Sequence, residues 1–136
     1  MVHDRRYYLI DVYRHRLNYP ALKAKAIEYA RLHDATRIYI EDTGVGTGLI
    51  AELQDEGIPA IGATPESNKI ARMSIQSAKF ESGLVYIPRA AHWLAVFEME
   101  LFAFPGTRHD DQVDSISQGL AHAADTGYDW TMSWVE

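Results

Sequence analysis

The chain has 136 residues, enough for one domain with a buried core, and it contains no cysteine. Disulfides and thiolate metal sites are therefore excluded, and a reducing cytoplasm is the expected compartment. No apolar run approaches the roughly 20 residues of a membrane span, and the N-terminal sequence is not that of a signal peptide. The net charge of −6 argues against a general nucleic-acid binder. It does not argue against a nuclease, because carboxylates that hold metal ions are themselves negative.

The first half of the chain predicts strands that alternate with helices. Residues 7–14 (YYLIDVYR) are aromatic and β-branched, as strands are, and Pro20 suits the first turn of a helix. Further along, the pattern predicts a helix over 21–33, a strand over 36–41, a flexible glycine-rich turn over 42–48, a helix over 49–56 and a strand over 59–63.

The second half continues the alternation. The predicted elements are a helix over 67–80 capped by Ser67, a strand over 84–87, a helix over 91–102 ended by Pro105 and Gly106, and a helix over about 110–124. Residues 125–136 have no clear period and are interpreted as a C-terminal tail, in which Trp130 and Trp134 are candidates for a contact between copies. Alternating strands and helices predict an α/β fold with a largely parallel sheet.

Acidic residues gather at the start of the last predicted helix. His109, Asp110, Asp111 and Asp114 place one imidazole and three carboxylates within about one turn. Like charges this close require a cation unless they are fully solvated, and oxygen-rich sites suit Mg²⁺ or Mn²⁺. The alternative is that one aspartate simply caps the helix.

A second acid, Glu41, ends the strand predicted over 36–41 and precedes the glycine-rich turn. Sites collect at the C-terminal edge of parallel sheets, so Glu41 is a candidate functional residue. Alternatively, Glu41 or Asp42 only caps the turn. The glycines at 44, 46 and 48 give neither a P-loop nor a dinucleotide fingerprint, which leaves a nucleotide-binding protein as a minor alternative.

Basic residues lie along the helix predicted over 67–80. Lys69, Arg72 and Lys79 fall on or near one side of it. They are candidates for phosphate contacts, although a solvated helix face is the commoner explanation for such a pattern.

Four segments at these spacings resemble the C-terminal nuclease domain of the large terminase subunits of tailed phages and prophages. They are YYLIDVYRHRLNYPALK, IYIEDTGVGTGLIAEL, SNKIARMSIQSAKFESGLVYIP and HWLAVFEMELFAFPGTRHDDQVDSISQGL, and together they span about Tyr7 to Ala124. The resemblance implies a ribonuclease-H-like mixed sheet flanked by helices. It implies a Mg²⁺- or Mn²⁺-dependent endonuclease that cuts concatemeric viral DNA during genome packaging.

The resemblance also assigns roles to individual residues. Glu41, Asp110 and Asp111 match the metal-binding and catalytic acids, with Asp111 the favoured member of the pair. His109 would then be a second-layer residue, a phosphate contact or a minor ligand. By their positions, Asp114, Lys69 and Arg72 are further candidates for second-layer roles or phosphate contacts. The implied partners are double-stranded DNA, the terminase ATPase portion, the small terminase subunit and the portal, in the host cytoplasm and without a membrane.

This chain departs from the family pattern at its start. Neither a Walker A loop nor the first two strands of the family's nuclease domain precede YYLIDVYR, and the first strand carries a metal-binding Asp. Residues 1–136 are therefore expected to form a single, partial nuclease domain. Three explanations remain open: a fragment, direct pairing of the strand at 7–14 with that at 36–41, or strands borrowed through open edges from a second copy.

Two functions follow from this incomplete acid set. Under direct pairing, Asp11 would lie beside Glu41 and could substitute for the missing acid. The first function is a metal-dependent nuclease domain, active only if a full acid set forms and therefore incomplete or weakly active by itself. The alternative is a non-catalytic terminase remnant or accessory DNA-packaging protein.

Overall fold

A computed structural model describes residues 1–64, 68–106 and 108–123, together with the backbone of residues 131–134. Within these residues helices and strands alternate. In chain order the elements are β1 (Val2–His3), β2 (Arg6–Tyr8), α1 (Tyr19–Leu32), β3 (Arg37–Glu41), α2 (Val45–Asp55), β4 (Ala60–Ala63), α3 (Lys69–Glu81), β5 (Val85–Tyr86), α4 (Leu94–Ala103), α5 (Asp111–Ala123) and β6 (Thr131–Trp134). No helix in the described part of the chain combines the length and the apolarity needed to cross a bilayer.

Two helices begin at asparagine caps. The side-chain oxygen of Asn18 accepts a hydrogen bond from the backbone N–H of Ala21 at 3.1 Å, and Pro20 occupies the first turn of α1 as predicted. Asn68 caps α3 in the same way. The predicted cap at Ser67 lies outside the described residues.

The strands form two three-stranded sheets, and the α/β class predicted from the sequence is confirmed. One sheet has the order β1-β2-β5, with β1 antiparallel and β5 parallel to β2. The other has the order β4-β3-β6 and is entirely parallel. Within the segment interpreted as a C-terminal tail, Thr131–Trp134 form β6 and pair with β3, although the sequence there has no clear period. Trp130 and the side chain of Trp134 lie outside the described residues, so their proposed contact between copies stays a prediction.

The strand predicted over 7–14 was wrong in length and in partner. β2 ends at Tyr8, and residues 9–18 connect it to α1 without regular structure. β2 pairs with β1 and β5, whereas both edges of β3 are occupied by β4 and β6. Direct pairing of these two segments is therefore excluded, and Asp11 does not lie on a strand beside Glu41.

β3 is covered on both faces. Ile38 and Ile40 pack with α1, α2 and β4 in the main core, where Ala26, Leu49 and Leu53 are buried. On the opposite face the ring of Tyr39 stacks on His122 of α5, with 4.4 Å between ring centroids. Burial on both sides explains why the middle of this strand, Ile38 to Ile40, is apolar and its polar residues lie at its two ends.

Candidate active site

Glu41 lies at the C-terminal end of a buried parallel strand, as the sequence predicted. Alternation along β3 places Tyr39 and Glu41 on the face that α5 covers. Tyr39 stacks on His122, and the Glu41 Oε2 atom lies 3.5 Å from Nε2 of Gln118, four residues earlier in α5. Two residues of strand and four residues of helix span similar lengths, so β3 and α5 run in opposite directions. The start of α5 therefore lies at the Glu41 end of β3.

The hydrogen bonds in the turn after β3 show which acid caps this turn. The carboxylate of Asp42 accepts a hydrogen bond from the Thr47 hydroxyl at 2.7 Å. Glu41 participates through its backbone carbonyl, which accepts from the N–H of Thr43 at 2.9 Å. The capping alternative thus applies to Asp42, while the carboxylate of Glu41 is directed toward α5.

The glycine-rich segment was predicted as a flexible turn over 42–48, and this was wrong. α2 begins at Val45, so Gly46 and Gly48 lie within its first turns, and only Gly44 adopts a left-handed conformation, with φ of 53°. Gly46 is required for packing, because a Cβ at this position would lie 2.1 Å from the carbonyl oxygen of Glu41. The glycine brings α2 against the end of β3 and thereby fixes the backbone of Glu41.

The start of α5 is capped by a residue from another helix. The Oε1 atom of Glu100 in α4 accepts from the backbone N–H groups of Gln112 and Val113 at 2.6 and 3.2 Å. Its Oε2 atom accepts from the Gln112 side chain at 2.6 Å. These N–H groups are the ones that a helix-capping aspartate would normally satisfy. Glu100 takes the capping role proposed for Asp110 or Asp111, and sequence reasoning missed it.

Each acid at the start of α5 faces a basic side chain. The ammonium of Lys69 lies 3.3 Å from Oδ1 of Asp110 and 3.2 Å from Oδ2 of Asp114. The guanidinium of Arg72 forms an ion pair with the other oxygen of Asp114. Nη2 of Arg14 lies 3.9 Å from Oδ2 of Asp111. The cation that this cluster was predicted to need is thus supplied in part by the chain itself.

The surroundings of Arg72 differ from the solvated helix face that its sequence pattern favoured. A solvated position was the commoner expectation, yet Arg72 is buried, and its Nε donates to the hydroxyl of Ser117 at 2.9 Å. Lys79 donates to the backbone carbonyl of Leu120. Basic residues of α3 therefore pack against α5, and the prediction of a solvated face was wrong for Arg72.

A cleft of about 1150 Å³ joins these elements. Glu41, His109, Asp111 and Asp114 line it together with Lys69 and Arg72. The connection between β2 and α1 forms another wall, which contributes Asp11, Arg14, His15 and Arg16. The cleft contains acids that could hold a cation and bases that could contact phosphate.

The carboxylate of Asp11 forms its hydrogen bonds within this wall of the cleft. Its Oδ1 atom accepts from the backbone N–H of Val12 at 2.8 Å, and its carboxylate is hydrogen-bonded to the hydroxyl of Tyr29. Partial burial and then this hydrogen bond raise the pKa of Tyr29 to about 12. Asp11 lines the same cleft as Glu41, but it is engaged with Tyr29 rather than set beside Glu41 on a neighbouring strand.

The geometry of the acids in the cleft decides whether they could hold a metal ion. Carboxylate oxygens are suitable ligands for Mg²⁺ or Mn²⁺. Among the described residues, however, no three His, Cys, Asp or Glu side chains converge closely enough to hold a metal ion. Asp110 and Asp114 are directed toward Lys69 and Arg72 instead. In this arrangement the residues do not fit a three-ligand metal site.

The structure thus sets a glutamate at the end of a buried parallel strand on the same side as the acidic start of α5. The family described as "Terminase RNaseH-like domain" matches residues 1–123. The chain belongs to this family, and the resemblance found in the sequence is confirmed. No curated protein matched the chain, and no solved structure did.

Proposed function

We propose that the chain is a DNA-cleaving domain of a phage or prophage large terminase, which cuts concatemeric viral DNA during packaging in the host cytoplasm. Family membership supports the class of activity. The observation that carries the site is the alignment of α5 with β3 through the Tyr39–His122 and Glu41–Gln118 contacts. It sets the acidic start of α5 beyond the end of the strand that carries Glu41.

We further propose that cleavage depends on Mg²⁺ or Mn²⁺ and involves Glu41 with Asp111, and that Asp110 contributes less. Asp111 lines the cleft and has its nearest basic group, Arg14, at 3.9 Å, whereas Asp110 does not line the cleft and is paired with Lys69 at 3.3 Å. Because no three acids converge as ligands among the residues that the structure describes, the isolated chain should cleave weakly. A non-catalytic packaging protein is the second candidate, favoured by the same observation.

Double-stranded DNA is the proposed substrate, and the cleft wall from Arg14 to Arg16 is the proposed contact with its backbone. Arg14 and His15 are exposed there, as is Arg16, and all three line the cleft. Basic side chains of this kind bind phosphates without regard to base sequence. The terminase ATPase portion, the small subunit and the portal are proposed protein partners, and open strand edges could pair with a second copy.

Plasmid cleavage tests this function directly. The chain is incubated with supercoiled DNA and Mn²⁺ or Mg²⁺, beside Glu41→Gln and Asp111→Asn variants. Each variant should lower the cleavage rate about a hundredfold or more, because each removes a carboxylate from the proposed centre. Glu28→Gln is the matched control, since Glu28 is an exposed acid of α1 that pairs with Lys25 outside the cleft.

The outcomes separate the two candidates. Cleavage that both cleft variants leave unchanged would refute the site. DNA binding without cleavage in the parent chain would support the non-catalytic candidate. Binding itself is checked with Arg14→Ala and Arg16→Ala, which should weaken affinity and reduce its salt dependence by about one unit of slope for each lost phosphate contact.

A further inference from the structure

A glutamine amide lies beside the Glu41 carboxylate in the cleft. Gln118 of α5 is only 5% exposed, and it lines the cleft together with Glu41. Its Nε2 atom lies 3.5 Å from Oε2 of Glu41, at the outer limit of a hydrogen bond. Only the N–H₂ end of an amide can face a carboxylate without repulsion, so this contact fixes which end of the side chain is turned toward Glu41.

The neighbours of Gln118 hold this part of α5 in place. One residue earlier, the Ser117 hydroxyl accepts a hydrogen bond from Nε of Arg72 at 2.9 Å. One turn later, the ring of His122 stacks on Tyr39, with 4.4 Å between ring centroids. Because the segment is attached to both α3 and β3, the amide of Gln118 is in position before any substrate arrives.

The oxygen end of the same amide is unsatisfied. The Oε1 atom of Gln118 is buried and accepts no hydrogen bond from the residues that the structure describes. A buried acceptor without a donor lowers stability, so a methionine of similar volume would suit the fold better at this position. A polar side chain that lowers stability in this way is typical of a functional position.

We propose that Gln118 is a positioning residue, whose N–H₂ group orients the carboxylate of Glu41 for cleavage. Glu41 lies at the end of its strand, where the backbone of α2 fixes its main chain through the close approach of Gly46. The amide of Gln118 adds a contact to the carboxylate itself. This inference rests on the proposed function, because it concerns how a residue of that same site is held.

Plasmid cleavage by the full chain at several DNA concentrations tests this role. Gln118→Met keeps the side-chain volume but removes the amide. It should lower kcat about tenfold and leave KM unchanged, because Glu41 loses the group that orients it. Its Tm should equal or exceed that of the parent chain, because the buried acceptor without a donor is removed. A purely structural role would give the reverse pattern, with a lower Tm and little change in kcat.

Gln76→Met is the matched control. Gln76 of α3 is 7% exposed, and its buried Oε1 atom also has no partner among the described residues. It does not line the cleft. Its replacement should therefore affect Tm as Gln118→Met does, while kcat stays that of the parent chain.

The NMR signals of the Gln118 side-chain amide give a second test, which does not need cleavage. They should shift in Glu41→Gln, which removes the carboxylate that the amide faces. They should stay in place in Glu28→Gln, because Glu28 pairs with Lys25 outside the cleft.

The outcomes separate this inference from the proposed function. Unmoved amide signals in Glu41→Gln, or a kcat of Gln118→Met equal to that of the parent chain, would overturn the inference and leave the proposed function intact. If the parent chain did not cleave DNA, the proposed function would fail, and the amide signals alone would decide whether Gln118 holds Glu41.

Discussion

Replacing Gly46 by alanine should test whether α2 must pack closely against the backbone of Glu41, apart from the general effect of alanine on helix stability. An added Cβ at position 46 would lie 2.1 Å from the Glu41 carbonyl oxygen and 3.3 Å from its carbonyl carbon. The clash is with backbone, so it cannot be relieved by rotating a side chain, and α2 must move away from β3 by about 1 Å. Overpacking of this kind costs about 3 kcal/mol.

Gly48 provides the matched control within the same helix. A Cβ at position 48 would meet the Tyr19 hydroxyl at 3.8 Å, an ordinary van der Waals contact. Alanine is better than glycine in a helix by about 1 kcal/mol, so Gly48→Ala should stabilise the fold by that amount. The same gain offsets part of the clash in Gly46→Ala, which should be destabilised by about 2 kcal/mol.

Thermal and urea unfolding measure the difference between the two variants. A gap of about 3 kcal/mol corresponds to roughly 10 °C in Tm for a domain of this size. Gly46→Ala should also bind Mn²⁺ more weakly than Gly48→Ala, because the backbone that carries Glu41 is displaced. Equal stability of the two variants would refute the argument that Gly46 is required for close packing.

Two further predictions concern the cap and the cleft wall. Glu100→Ala should lower the unfolding free energy by about 3 kcal/mol, because it leaves two backbone N–H groups of α5 without their charged acceptor. Glu100→Gln should lower it by only about 1 kcal/mol. Urea unfolding measures both, and a loss below about 0.5 kcal/mol for the alanine variant would contradict the cap. For Tyr29, the unfolded chain loses its phenolic proton near pH 10 while the folded chain keeps it until about pH 12, so stability falls between these values. Allowing for solvent screening, Tyr29→Phe should remove about 1 kcal/mol of this fall in unfolding free energy. The same pH dependence of stability in the parent chain and in Tyr29→Phe would count against the Tyr29–Asp11 contact.

Several elements were predictable because their signals are local. The helix at Tyr19–Leu32 has an asparagine and a proline at its start, and β3 has three consecutive apolar or aromatic residues before Glu41. The strand at 7–14 was overpredicted because its partner is short. β5 ends at Tyr86, and Pro88 two residues later has no N–H to donate, so β2 has few residues with which to pair.

The candidate site was predictable only in part, for a physical reason. The position of Glu41 follows from the general rule about the ends of parallel strands. The glycines at 46 and 48 disfavour a helix by propensity, but burial of Leu49 and Leu53 in the core outweighs this. The pairing of Lys69 and Arg72 with acids some forty residues later depends on how α3 packs against α5, which no local pattern contains.

The cap supplied by Glu100 means that the first residues of α5 do not have to cap their own helix. Where a helix is capped by its own first residues, replacing them changes both stability and chemistry. Here the N–H groups of Gln112 and Val113 are satisfied from α4, so the fold does not depend on Asp110 and Asp111 for capping. Substitutions at these two positions therefore leave the cap of α5 in place, although they remove the ion pairs with Lys69 and Arg14.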